Sequence, residues 1–225
     1  MKSEEELFQR FRPFCSALAS KPSLPILEQL QDQIHQSNVQ DMTRLQEYIV
    51  FPMQVYLKSP SMPENYTLKV LEFITDFFTL VKLESSFFFK DVLNSCLVLV
   101  MSKKEVSEDM KIAISKMFDI LLQNGNDDVI ESVLEEELKL PLSHLIFLTL
   151  EWAEEENESR NVVMMILEFL HTLTLLQKRQ NQAQYKSRMA PMLPGISTRL
   201  VKITKKSFHA QSYKIKVRIS ISEES

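Results

Sequence analysis

Glycine is almost missing from this chain: Gly125 and Gly195 are the only two in 225 residues. Glycine supplies the positive-φ turns of hairpins and the close backbone approach of phosphate-binding loops, so its scarcity excludes Walker and dinucleotide-binding signatures and argues against a sheet. Cysteine is nearly as rare. Cys15 and Cys96 form no Cys-x-x-Cys pair, and nothing secretory is written in Met1–Glu6, so both read as reduced, buried thiols of an intracellular protein. The four histidines, His35, His144, His171 and His209, never fall at the three-to-five spacing that places two metal ligands on one helical face. Neither His-Glu-x-x-His nor a nucleophile elbow occurs, so no catalytic residue, cofactor or metal ligand is nominated and the expectation is no enzyme. A run long enough to cross a membrane is also lacking. The most apolar stretch, Phe87–Met101, is interrupted by Lys90, Asp91 and Asn94 and reads as a buried inner helix.

What is abundant is apolar residues at helical spacing. They make up 44% of the chain, enough for a real core. The stretch Leu45–Pro60 carries the most specific pattern, with Leu45, Tyr48, Ile49, Met53 and Tyr56 on one side. Pro52 lies inside it and removes the backbone bond to the Tyr48 carbonyl, so a bend is expected there. Around this helix the pattern predicts nine others. A first helix presents Leu7, Phe8, Phe11, Phe14, Cys15 and Leu18 and starts at a Ser3/Glu6 capping box. Ser23 caps a second, and residues 36–40 form a polar link. Glu64–Leu83 pairs with the central helix as an αα-hairpin; Ser86 opens Phe87–Met101; Ser107 caps Glu108–Asn124, which Gly125 ends in the left-handed conformation. Helices over about 127–138, Pro141–Glu155, Arg160–Asn181 and Pro194–Thr204 complete the set. Ten helices make about five pairs at roughly 41 residues per pair, the spacing of HEAT and armadillo units, although no self-similarity recurs at that period and a compact bundle is the physical alternative.

The central stretch, with Phe11-Arg-Pro-Phe-Cys15 before it and Met192-Leu-Pro-Gly-Ile-Ser-Thr198 after it, resembles the N-terminal part of the Tel-two-interacting protein one family. The resemblance implies an all-α, HEAT/armadillo-like right-handed α-solenoid. It also implies a non-catalytic scaffold of the TTT co-chaperone complex that supports maturation of phosphatidylinositol-3-kinase-related kinases. The implied partners are the other TTT subunits and, through them, those kinases and the heat-shock protein 90 machinery. Family members are much longer, so the chain reads as an N-terminal part or a short form. The rivals are an unrelated HEAT-type adaptor or trafficking scaffold and, from another class, a helical enzyme or metal protein.

The resemblance runs to about Ser207, which divides the chain into a helical domain, 1–207, and an atypical tail, 208–225. In the tail Tyr213, Ile215, Val217, Ile219 and Ile221 alternate with Lys214, Lys216, Arg218, Ser220 and Ser222, a strand pattern with no ladder partner, so a disordered tail is expected.

Three features could form surfaces. Residues 178–218 hold eleven Lys or Arg and no acid, against a net charge of −4. Within them Arg199, Lys202, Lys205 and Lys206 lie about a turn apart and could meet an acidic surface or phosphate; intramolecular or helix-end charge complementarity is the plainer account, and sparse aromatics argue against nucleic acid. The acidic runs at 135–137 and 151–158, with Trp152 embedded as half-buried core, read as solvated helix ends or a site for a basic partner. Phe87-Phe-Phe89 is expected in a pocket between helix layers rather than as an exposed hot spot.

Overall fold

The computed structural model describes residues 4–59, 61–103, 105–135, 141–155, 158–182 and 193–209, and these form eleven helices. They are α1 (Glu4–Ser20), α2 (Leu24–His35), α3 (Val39–Arg44), α4 (Gln46–Leu57), α5 (Glu64–Leu80), α6 (Ser86–Met101), α7 (Glu108–Gln123), α8 (Asp127–Glu135), α9 (Pro141–Glu154), α10 (Arg160–Gln182) and α11 (Leu193–His209). Ten were expected. The eleventh is α3, which starts within the expected polar link of residues 36–40 and runs on to Arg44: the Asn38 side chain accepts the Gln40 N–H at 2.8 Å, and Met42 is buried. A single apolar anchor is too little periodicity to mark a helix this short.

Local chemistry sets the helix starts. Ser107 accepts the Met110 N–H at 3.3 Å as its position predicts, and Ser159 does the same for Val162 at 3.3 Å. At α6 the cap is Ser85 rather than Ser86, accepting from Phe88 at 3.2 Å. Ser23 holds the N-cap backbone position of α2 but makes no cap bond with its side chain. The Ser3 cap and the acidic residues 136–137 lie outside the described residues, as do residues 210–225, which make up most of the expected tail; α11 itself extends to His209.

The helices stack in two rows. In the first, α1, α4, α6, α9 and α11 each pack on the next, and in the second α2, α5, α7 and α10 do the same. The pairs α1/α2, α4/α5 and α9/α10 also pack directly on each other, while α3 lies against α4 and α8 against α6. Each pair touches mainly its neighbours, which makes the molecule an α-solenoid. Second-row helices begin at Leu24, Glu64, Glu108 and Arg160, which are 40, 44 and 52 residues apart. The last interval is longest because α8 is inserted there.

One core runs between the rows. Phe11, Ile49, Met53, Val70, Ile74, Phe77, Phe78, Phe89, Phe118, Ile166 and Phe169 are all fully buried in it. Burial of each such side chain contributes about 1.5–3 kcal/mol, so stacking the pairs rather than helix propensity holds them together. α4 continues through Pro52, whose ring is itself buried.

Gly125 departs from the sequence reading. The residue that ends α7, Asn124, sits at φ −103°, and the chain beyond it runs into a parallel bridge rather than a left-handed cap. The Leu83 N–H donates to the Asn124 carbonyl at 2.9 Å, and the Asn126 N–H donates to the Leu83 carbonyl at 3.0 Å. A Cβ on Gly125 would stand 2.6 Å from Ile130 Cδ1 and 3.2 Å from the Leu121 carbonyl oxygen. Close approach selects the glycine here.

Candidate interaction surface

Along one edge of the solenoid, polar side chains join the N-termini of the second-row helices to one another. The Ser23 N–H, at the start of α2, donates to the Tyr66 hydroxyl of α5 at 3.1 Å. Glu64, in the first turn of α5, accepts from Lys103, just ahead of α7, at 2.5 Å. The Ser159 hydroxyl, capping α10, donates to Glu108 of α7 at 2.6 Å. Lys111, one turn into α7, is buried and donates to Glu155 at 2.7 Å and to Glu158. Carboxylates collect here because helix N-termini carry partial positive charge and unpaired N–H groups.

These contacts shift the groups involved. The hydrogen bond from Lys103, helped by Ser107, holds Glu64 below the ordinary carboxyl value. Burial alone would raise Glu158, but bonds from Lys111 and the Ser159 N–H outweigh it, and the carboxyl lies low. Burial would likewise lower Lys111; its two glutamates outweigh that and raise it. A cleft of about 420 Å³ opens beside Lys111, lined also by Glu105, Glu108, Glu155 and Glu158. The acidic run that reads as solvated is thus partly an internal counter-charge. Trp152, read as half-buried, is buried, with the Lys111 ammonium 6.0 Å from its ring.

The basic residues singled out in the sequence lie on α11 and are not alike. Arg199 is engaged within the chain: its Nε and Nη2 both donate to Glu154 of α9 at 2.9 Å, and this bond keeps the guanidinium pKa above its usual range. Lys202 is exposed. Lys205 and Lys206 fall in the same helix, with side chains outside the described residues.

Chemistry-bearing side chains are dispersed. His35, His144 and His171 are exposed on α2, α9 and α10, and among the described residues no three His, Cys, Asp or Glu are grouped to hold a metal. Burial pushes the thiols of Cys15 and Cys96 up to about 12, which leaves them un-ionised near neutrality. Among the described residues no helix is long and apolar enough to cross a membrane.

The phenylalanine run splits. Phe88 meets Phe78 with ring centroids 5.1 Å apart and Phe89 meets Phe118 at 5.7 Å, both in the core as expected. Phe87 is 73% exposed, which overturns the shared pocket: it lies on the side of α6 shared with Asn94, Val98 and Met101, which the neighbouring helices leave uncovered. Further along α6, Val98 (61%) and Met101 (77%) are exposed as well, and on α4 so is Phe51 (53%). The spacing of Phe87, Val98 and Met101 was the available signal, since they share one helical face opposite Phe89, Leu93 and Cys96.

Helix pairs stacked in two rows and bonded edge to edge define a helical-repeat domain. The family model described as the TTI1 N-terminal TPR domain matches residues 8–220. The chain belongs to that family. Similar curated proteins are the TELO2-interacting protein 1 homolog of Mus musculus and that of Homo sapiens, each 28% identical over 214 residues, covering 88% of this chain and 20% of theirs. The chain therefore spans about a fifth of the length of the curated relatives it matches. No solved structure matches it. The intervals of 40 to 52 residues between second-row helices exceed the roughly 34 of a tetratricopeptide unit, although both architectures stack antiparallel helix pairs.

Proposed function

We propose that the chain acts as a non-catalytic scaffold in a TTT co-chaperone assembly, where it supports the maturation and stability of phosphatidylinositol-3-kinase-related kinases. The observation that carries this reading is the family match over residues 8–220, on a fold built from stacked helix pairs. The matched relatives are named for interaction with TELO2, and the same interaction is assigned to this chain. The remaining TTT subunit, the kinases and the heat-shock protein 90 machinery are reached through that assembly. Its place is the cytoplasm and, with the kinases, the nucleus.

The test is co-purification. The tagged 225-residue chain, produced in its own cells at native level, should bring down its TELO2 counterpart, and depletion should lower the steady-state amount of the kinases without lowering their transcripts. Absence of the TELO2 counterpart from the purified chain overturns the reading.

A further inference from the structure

The outward sides of α4 and α6 adjoin, and along them exposed apolar residues, Phe51, Val55, Phe87 and Val98, alternate with polar ones. On α4 the outward positions Glu47, Phe51, Val55 and Lys58 succeed one another at turns of the helix, and on α6 Phe87, Asp91, Asn94 and Val98 do so. Lys58 and Asp91, one from each series, are paired at 2.8 Å, so the two series adjoin. A second tie joins the helices at their N-terminal ends, where the Gln46 side chain accepts the Glu84 N–H at 3.2 Å. Phe51 and Phe87 each lie one turn beyond that tie.

Single exposed apolar residues need no explanation, but apolar residues exposed together on two adjoining helices, with polar residues among them, have the mixed make-up of an interaction surface. Its shape is the valley between two neighbouring helices of one row. Such helices lie about 8–10 Å apart, and a third helix seats its ridge in the groove they make. A strand would need an unpaired sheet edge, and the described residues hold no strand beyond one isolated bridge.

The charges around the strip say more about the occupant. Lys58 answers Asp91, and Arg44 and Lys90 are engaged in interactions of their own. Among the described residues Glu47 and Glu84 have no counter-ion, and both are exposed at the Phe51–Phe87 end. We infer that the α4–α6 strip docks an amphipathic helix of another protein, one that sets apolar anchors against Phe51, Phe87 and Val98 and places Lys or Arg over Glu47 and Glu84. The inference rests on the scaffold reading, to which it adds a surface and the chemistry of a partner.

A test uses the full chain and a fluorescent helical peptide of about 18 residues, about 27 Å long, with leucine on one face and lysine on the other. The controls are the same helix with glutamate for lysine and a shuffled peptide with no apolar face. Saturable binding of the leucine–lysine helix is expected, with both controls weaker by about tenfold or more. Phe87→Asp is expected to cost the same factor without lowering the melting temperature, because an acid in the first turn of an exposed helix face is well tolerated. Val98→Asp provides a second variant, several turns away on the same strip. The double variant Glu47→Lys/Glu84→Lys is expected to reverse the preference between the lysine and glutamate helices.

Binding that survives both Phe87→Asp and Val98→Asp overturns the proposal, as does equal binding of the two charged helices or no binding at all. Sedimentation that shows a dimer lost in Phe87→Asp would make the occupant a second copy and overturn it too. So would binding to phosphatidylserine vesicles that the same variant abolishes. None of these outcomes alters co-purification of the TELO2 counterpart, so this failure is distinguishable from failure of the scaffold reading.

Discussion

The phenolic oxygen of Tyr66 accepts the backbone N–H of Ser23 at 3.1 Å, so the start of α2 is held from α5 and not by a side chain of its own. The ring of Tyr66 meets that of Tyr56 edge-on at 5.2 Å, and the Tyr56 hydroxyl donates to the Leu18 carbonyl. Two tyrosines of the second helix pair thus hold the turn of the first. Ser23→Ala should change stability by less than about 0.5 kcal/mol, whereas Ser107→Ala should cost about 1 kcal/mol through its lost cap. Tyr66→Phe should cost about 1 kcal/mol by leaving the Ser23 N–H without its partner. Urea unfolding of the three variants checks this, and equal losses at Ser23 and Ser107 would contradict it.

Acid should weaken the edge that carries Glu64 and Glu158. Both folded carboxyls lie below the ordinary value, so their stabilisation is complete above about pH 4.3 and is lost as pH falls through the lowered folded values. Lys111 is raised, so its share persists to alkaline pH and fades only above about 10.4. Lys111→Met leaves Glu158 buried without its cation and should cost about 3 kcal/mol at neutral pH. The gap between wild type and variant should narrow below about pH 4, because the orphaned carboxyl protonates readily. Urea midpoints measured from pH 7 to 3 decide it; a gap independent of pH would refute the account.

Gly125→Ala places a methyl 2.6 Å from Ile130 Cδ1 and should destabilise by about 1–3 kcal/mol. The clash is partly with a side-chain end, so Gly125→Ala/Ile130→Val, which removes Cδ1, should recover part of the loss. Thermal melts of the single and double variants measure the coupling.

The three phenylalanines at the start of α6 should respond differently. Phe88→Ala and Phe89→Ala each empty a core position and should cost about 3–5 kcal/mol, while Phe87→Ala should stay within about 0.5 kcal/mol. A large loss at Phe87 would show that its ring is covered in the folded chain.

Long amphipathic helices were legible because their period is set by burial on one side, as in Met110, Ile114, Met117, Phe118 and Leu121 of α7. Ser107 was legible for the same reason that a cap acts within one turn. What stayed hidden depends on partners distant in sequence. Nothing near Ser23 announces Tyr66, nothing near Glu158 announces Lys111, and nothing near Asn124 announces the backbone bond it receives from Leu83. An intramolecular pairing is the plainer reading of Arg199 in the sequence, but its partner, Glu154, becomes visible only when α11 is laid on α9. The exposed face of α6 was written in Phe87, Val98 and Met101, but a helix so apolar on all sides has too weak a moment to show which side faces solvent.

Leu83 fastens the trailing end of α5 to that of α7 by backbone hydrogen bonds with Asn124 and Asn126, while Glu64 and Lys103 fasten their leading ends. A pair of rods pinned at one end swings like a hinge, and a pair pinned at both ends does not. Torque applied at either side of this pair is passed on through it, and α2/α5 and α7/α10 are likewise tied at two points each, by Ser23–Tyr66 and Gln31–Asp76 and by Ser159–Glu108 and Thr172–Asp119, so the second row behaves as one stiff beam.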